Sequence, residues 1–268
     1  WRATRYRGHV DLFAGGVPCP PFSKAGKQLG SSDERDLFPD ALRLIRECQP
    51  RAIMLENVRC LLDARFDDYR ASLDTQLAEE GYKPFWKLLN ASDYGVPQLR
   101  PRTILVALRP SAAQFWRWPA SAPDTAPTVG ETLEDMMAAE GWAGARSWAV
   151  AASRIAPTLV GGSLKHGGPD LGPTRARRQW AALGVNGNVL ANEPPPRGFE
   201  GMPSLTVEMA AAIQGFPPEW RFMGKKTNAY RQIGNAFPPP VAQAVGRSIV
   251  RVLRLGRTLA PEVTRAAA

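Results

Sequence analysis

Short apolar runs ending in glycine or polar residues alternate with amphipathic stretches along the first part of the chain, and this alternation limits the folds open to it. "GHVDLFAG" is an apolar run that closes on glycine, the pattern of a buried parallel strand feeding a tight turn. "DLFPDALRLIREC" then spaces Leu37, Ala41, Leu44, Ile45 and Cys48 along one helical stripe. After Pro50, "RAIMLENV" reads as a second apolar strand closing on Glu56 and Asn57. "RFDDYRASLDTQLAEEGY" has helical spacing, with Phe66, Tyr69, Leu73 and Leu77 inward and Gly81 as the C-terminal cap. "KPFWKLLNA" and "RTILVALR" read as further strands around the loop "SDYGVPQLRP". Such alternation predicts an open α/β sheet with functional residues at the carboxyl ends of its strands.

From Pro110 to about Pro203 the pattern weakens, and Gly and Pro recur in "GGSLKHGGPDLGP" and "NEPPPRGFEG". Loops this long are rarely idle in a compact protein. Order returns in "SLTVEMAAAIQGF", a helix with Ser204 or Thr206 as N-cap. "PPPVAQAVGRSIVRVLRL" then carries a stripe of Val241, Ala244, Val245, Ile249 and Val252.

With 268 residues, 44% of them hydrophobic, the chain can bury a core as one large or two modest domains. It holds no run of 18 apolar residues, so no membrane span is expected, and "WRATRYRGHV" lacks the apolar core of a secretory leader. Cys19, Cys48 and Cys60 are odd in number and lack metal-ligand spacing, which argues against a disulfide framework or a zinc site and fits a reducing cytoplasm. The net charge of +9 is uneven: residues 1–140 carry 18 Lys and Arg against 19 Asp and Glu, and residues 141–268 carry 16 against 6. A basic second half points to a polyanionic partner, and a solvated basic surface is the plain alternative.

Cys19 is the central candidate for chemistry. Prolines at 18, 20 and 21 stiffen "VPCPPFS" and keep a helix from engulfing the sulfur, although a lone cysteine is otherwise often a buried small hydrophobe. A rigid, exposed thiol at a strand end suits covalent catalysis, provided nearby cations favour the thiolate. Glu56 ends an apolar strand. It is either a structural partner for an arginine or an acid able to donate a proton near neutrality. Gln98, Arg100 and Arg102 alternate, so an extended backbone would point all three to one face, where the arginines could hold a carbonyl, a phosphate or a thiolate. Neither His9 nor His166 lies where a Cys-His hydrolase would need it.

The blocks "DLFAG", "PCPPFSKAGKQLG", "ENV", "QLRPR", "LTVEMAAAIQGFP" and "YRQIGNAFPPPVAQAVG", in this order, resemble DNA (cytosine-5) methyltransferases of the bacterial restriction-modification type. One departure is Pro20, where many members have glutamine. The resemblance implies a Rossmann-like S-adenosylmethionine-dependent methyltransferase sheet with a smaller irregular target-recognition domain. Residues 1–140 with 226–268 would form a discontinuous catalytic and cofactor domain, and residues 141–225 the target-recognition domain.

In that reading Cys19 attacks C6 of a cytosine swung out of the duplex, Glu56 meets N3, Arg102 holds O2, and Arg100 helps fix the arrangement. Phe13, Ala14 and Gly15 would line the cofactor pocket, completed by Asn235 and Ala236. Ser23 to Gly30 looks like the loop that closes over DNA, with Ser23, Lys24, Lys27 and Gln28 against it, while Lys165, Arg175, Arg177 and Arg178 would reach DNA from the recognition region. The implied partners are double-stranded DNA and a paired endonuclease acting on the same site, with no membrane. The implied state is a monomer in the bacterial cytoplasm.

In the family the glycine turn and the Pro-Cys loop are separated by helices and strands, whereas here they adjoin. A single βαβ unit takes about 30 residues, so about 50–80 residues are expected to be absent between about Ala14 and Val17. The alternative is a deleted, catalytically dead relative that still binds DNA. A third reading is a small-molecule thiol enzyme on a similar sheet, against which the basic region and "KAGKQLG" argue.

Overall fold

The computed structural model describes residues 1–18, 36–161 and 170–258. The chain divides into two compact units. One takes Trp1–Leu89, Pro101–Ala120 and the chain from Ala244; the other takes Asn90–Arg100 and Ser121–Gln243. No described helix is long and apolar enough to cross a membrane.

The first unit is built on a sheet of β1 (Leu12–Gly16), β2 (Ala52–Val58), β3 (Lys83–Asn90) and β4 (Pro101–Leu108), in the order β1-β2-β4-β3. β1 runs parallel to β2, and β4 runs antiparallel to it. Parallel neighbours need a crossover, here containing helix α1 (Phe38–Cys48). α1 stops because Gln49 turns left-handed, at φ 48°, and Pro50 follows. Its buried stripe is Phe38, Ala41, Leu42, Ile45 and Cys48, while Leu37 is exposed and Leu44 only half-buried. Ala41, Ile45 and Cys48 thus match the expected stripe, whereas Leu37 is the N-cap outside the helix, whose first turn opens where Asp36 accepts the Phe38 amide. α2 (Asp67–Glu79) buries Leu73 and Leu77 and ends before Gly81, which sits at φ 80°. These side chains close on Ile53, Leu55 and Leu105 of the sheet to form one core, each adding about 1.5–3 kcal/mol on full burial.

β1 corrects a reading. The glycines after Phe13 do not form a turn. Gly15 and Gly16 are extended and pair in register with Leu55 and Glu56, and neither has a positive φ. The pairing runs unbroken from Leu12, and the Val17 amide continues it by donating to the Glu56 carbonyl at 3.2 Å. The strand is nonetheless exposed for so apolar a sequence: Leu12 is 37% accessible, and Ala14, Gly15 and Gly16 are exposed as well.

The second unit contains a core that apolar periodicity did not reveal. It is made by α4 (Val129–Ala138), α5 (Ala145–Ala151), α6 (Thr174–Ala181), α7 (Val207–Gln214) and α8 (Lys226–Asn235); α3 is the short Pro110–Ala113 turn of the first unit. Trp148, Trp180, Met209, Ile213 and Ile233 pack with loop residues Leu159, Leu171, Val185 and Leu190. Anchors carried singly on loops have no period, so these loop segments show no face in the sequence. α4 and α5 meet at Gly130, where a Cβ would lie 1.9 Å from the Ala149 carbonyl oxygen. Thr206 caps α7 by accepting the Met209 amide, as expected. Val129, Leu133, Met137 and Ile233 all belong to this core, and the unit comprises Asn90–Arg100 together with Ser121–Gln243. The final helix, α9 (Pro239–Thr258), buries Val241, Val245, Ile249 and Val252 at helical spacing.

Candidate active site

The carboxyl ends of β1 and β2 build the site of the first unit. Gly16 is opposite Glu56, and a Cβ on Gly16 would come within 3.0 Å of Glu56 Oε2. Glycine at this position therefore leaves room for the carboxylate, a packing requirement and not a turn. Beyond it, Val17 is held at both polar groups: its amide donates to the Glu56 carbonyl, and its carbonyl accepts from Asn57 Nδ2 at 3.2 Å. Asn57 is buried, and its Oδ1 accepts the Val58 amide at 2.8 Å. This side chain, which the sequence reading passed over, anchors the segment two residues before Cys19. A buried asparagine ending an apolar strand was the available signal.

Arg102 on β4 pairs across from Val58, two residues from Glu56, so the two side chains lie diagonally on one face of the sheet. Arg102 Nε is 2.7 Å from Glu56 Oε1, each side chain about one-seventh exposed, at 14%. Nη1 of Arg102 donates to the Pro101 carbonyl at 2.9 Å. Glu56 is thus an ion-paired carboxylate at an accessible edge rather than an isolated acid sealed in the core. A polar ring laid against this pair would meet one acceptor and one donor side by side.

Arg100 does something different. It is 1% exposed and belongs to the second unit, where Nη1 donates to the Leu159 carbonyl at 2.6 Å and Nη2 to those of Gly234 at 2.6 Å and Ala236 at 3.0 Å. Its charge sits against the carboxyl end of α8, where a helix leaves carbonyls unpaired and favours a cation. Gln98 is also fully buried there, 3.4 Å from Arg100. Of the alternating residues Gln98, Arg100 and Arg102, Arg102 is the one that pairs with Glu56.

The remaining expected residues are scattered. Phe13 is half-buried, and Ala14 and Gly15 are exposed, all within β1. Asn235, exposed, ends α8, and Ala236 leaves it in an extended conformation. Arg175 and Arg178 are exposed on α6, but Arg177 donates to Asn188 Oδ1 at 2.9 Å and is half-buried. Cys19, Ser23, Lys24, Lys27, Gln28 and Lys165 lie outside the described residues. No group of three His, Cys, Asp or Glu side chains that could hold a metal occurs among the described residues.

Over residues 2–251 the chain matches the family described as C-5 cytosine-specific DNA methylase. It is 58% identical over 249 residues to the type II methyltransferase M.NaeI of Lentzea aerocolonigenes, covering 92% of this chain and 60% of that protein. To M.NgoMIV of Neisseria gonorrhoeae it is 53% identical over 250 residues, covering 91% and 78%. The chain thus spans 60% of the length of M.NaeI. Among solved structures, the Entamoeba histolytica methyltransferase EhMeth aligns with a TM-score of 0.58 at 14% identity, covering 91% of this chain and 78% of its own. Spodoptera frugiperda DNMT2 aligns at 0.51 and 18%, covering 92% and 80%. At such identities the likeness concerns the fold, a Rossmann-like methyltransferase α/β sheet. A family match from residue 2 to residue 251, joined to a relative 53% identical of which the chain spans 78%, establishes that this chain belongs to the C-5 cytosine-specific DNA methylase family.

Proposed function

We propose that this chain transfers a methyl group to C5 of a cytosine extruded from duplex DNA, through a transient bond from Cys19 to C6. The observation that carries this reading is the Glu56–Arg102 pair, set beside the strand end that leads through Val17 to Cys19. A cytosine edge offers N3 and O2 side by side, matching a carboxyl group and a guanidinium held 2.7 Å apart. In the mechanism, the Cys19 thiolate adds to C6 and pushes an electron pair toward C5. Glu56 hydrogen-bonds or protonates N3 and so drains charge from the ring, while Arg102 binds O2. Once C5 carries the methyl group, a base removes its proton and the Cys19–C6 bond breaks, restoring the aromatic ring and the thiolate. Extrusion costs a few kcal/mol, offset by contacts to the freed base.

The residues that would meet S-adenosylmethionine are Phe13, Ala14 and Gly15 on β1, with Asn235 and Ala236 after α8. Gly15 has nothing within 4 Å of the position a Cβ would take, so its backbone is open to close approach. Phe13, Ala14 and Gly15, on one strand, fit a wall of the cofactor site. When bound, the cofactor supplies the methyl group. Partners follow the same reading: double-stranded DNA, and an endonuclease acting on the same sequence.

A second reading is favoured by the extended conformation of Gly15 and Gly16, which gives no turn for a ribose. In it the chain binds DNA without transferring methyl on its own. Incubation with methyl-labelled S-adenosylmethionine and duplex DNA, followed by digestion, separates the two. The first reading expects label in 5-methylcytosine; DNA binding without label would leave the second. In the same preparation, Arg175→Ala with Arg178→Ala is expected to reduce the slope of log affinity against log salt by about 2, since each exposed arginine neutralises one phosphate. An unchanged slope would remove this helix face from the interface.

A further inference from the structure

The α8 exit in the second unit is held by a directed relay of amides. The Leu159 amide N–H lies 2.8 Å from one polar atom of the Gln98 side chain, which must therefore be the acceptor, Oε1. That fixes the other atom as Nε2, which donates to Gln214 Oε1 at 2.6 Å and to the Ile213 carbonyl at 3.3 Å. Gln214 in turn must present its own Nε2 to the Ala236 carbonyl, 2.6 Å away. Ala236 is therefore gripped twice, by Gln214 and by Arg100. Gln214 is fully buried at the last position of α7, and Gly215, at φ 82°, turns the chain away immediately after it.

The grip acts where the backbone has little slack. A Cβ on Gly161 would fall 2.3 Å from Asn235 Oδ1, and one on Gly234 would fall 2.5 Å from the Cα of Gly161. The 159–161 strap and the end of α8 thus touch main chain to main chain. Pro238, Pro239 and Pro240 stiffen the far side. A residue whose carbonyl is fixed by two donors, between a glycine contact and a proline run, has a defined peptide plane.

We propose that Gln214 is a positioning residue: through the Ala236 carbonyl it sets the orientation of the Asn235–Ala236 turn for S-adenosylmethionine. The proposal rests on the reading that this turn meets the cofactor. Apart from its hydrogen bond to the Ala236 carbonyl, Gln214 has no hydrogen bond among the described residues to Asn235 or to a side chain assigned to the reaction. Its effect passes through the backbone, so it acts on cofactor binding and not on the chemical step.

Gln214→Glu tests this with an isosteric change. The carboxylate still accepts from Gln98 but opposes the Ala236 carbonyl with an oxygen in place of a donor. Gln214→Leu is the uncharged second variant. In both, hydrogen exchange at the amides of 234–237 is expected to quicken, and KM for S-adenosylmethionine to rise about tenfold, the factor one buried hydrogen bond is worth. kcat and KM for DNA should stay within about twofold. Exchange at wild-type rates in both variants would overturn the positioning role whatever the turn binds. Faster exchange with an unmoved cofactor KM would overturn the link to the cofactor. A parallel Asn235→Ala variant with unaltered cofactor KM would place the fault in the cofactor reading itself. A fall in kcat and a rise in both KM values together would mark Gln214 as merely structural.

Discussion

Glu56→Gln is expected to lower kcat by about 10²–10⁴-fold, the span that a positioned acid–base group contributes. The substitution keeps the size of the side chain, so the room beside Gly16 stays filled and β1 stays in register. Two things are lost. Nε of Arg102 loses the anion it pairs with at 2.7 Å, and N3 of the base loses a group that can carry a proton. Both losses bear on the addition step, where negative charge develops on the ring. Single-turnover methyl transfer measures it, and a rate within about threefold of wild type would remove Glu56 from the chemistry.

Arg100→Leu is expected to act on stability. The leucine leaves the carbonyls of Leu159 and Gly234 without the donor they have at 2.6 Å, while Ala236 retains Gln214. Each buried carbonyl left unpaired costs about 1–3 kcal/mol, so the loss for the two should total about 2–6 kcal/mol. That corresponds to a fall of about 10 °C in the melting temperature. Arg100→Lys, which keeps the charge but not the fork, should recover only part of the loss. A melting temperature unchanged in Arg100→Leu would contradict the structural role. It would also reopen the catalytic one that alternation with Arg102 had suggested.

These two arginines show where sequence reasoning reaches and where it stops. Spaced two apart in "QLRPR", they look alike in the sequence, and only the β4 register separates them by putting Arg102 diagonally across from Glu56. β2 and β4 were legible because these central strands leave no residue exposed and therefore read as apolar runs. α1 was legible by its period in Ala41, Ile45 and Cys48, although Phe38 and Leu42 take the places expected of Leu37 and Leu44. The glycine pair misled because two causes share one signal. An apolar run closing on "GG" looks like a turn, whereas Gly16 is small because the Glu56 carboxylate would otherwise have no room. The core of the second unit was partly hidden because Trp180, Leu159 and Leu190 sit one to a segment and carry no period, whereas Val129, Leu133 and Met137 of α4 do repeat every four residues and were passed over.

The transient Cys19–C6 bond is tested most directly by trapping. Duplex DNA carrying 5-fluorocytosine at the target position is incubated with the protein and S-adenosylmethionine, then denatured and analysed for a covalent protein–DNA species. Fluorine at C5 blocks the final proton loss, so the bond to C6 cannot break. Wild type should yield the adduct, with the nucleotide mapped to Cys19, and Cys19→Ser should yield none. An adduct that persists in Cys19→Ser, or methyl transfer by wild type with no adduct on the fluorinated duplex, would contradict the account.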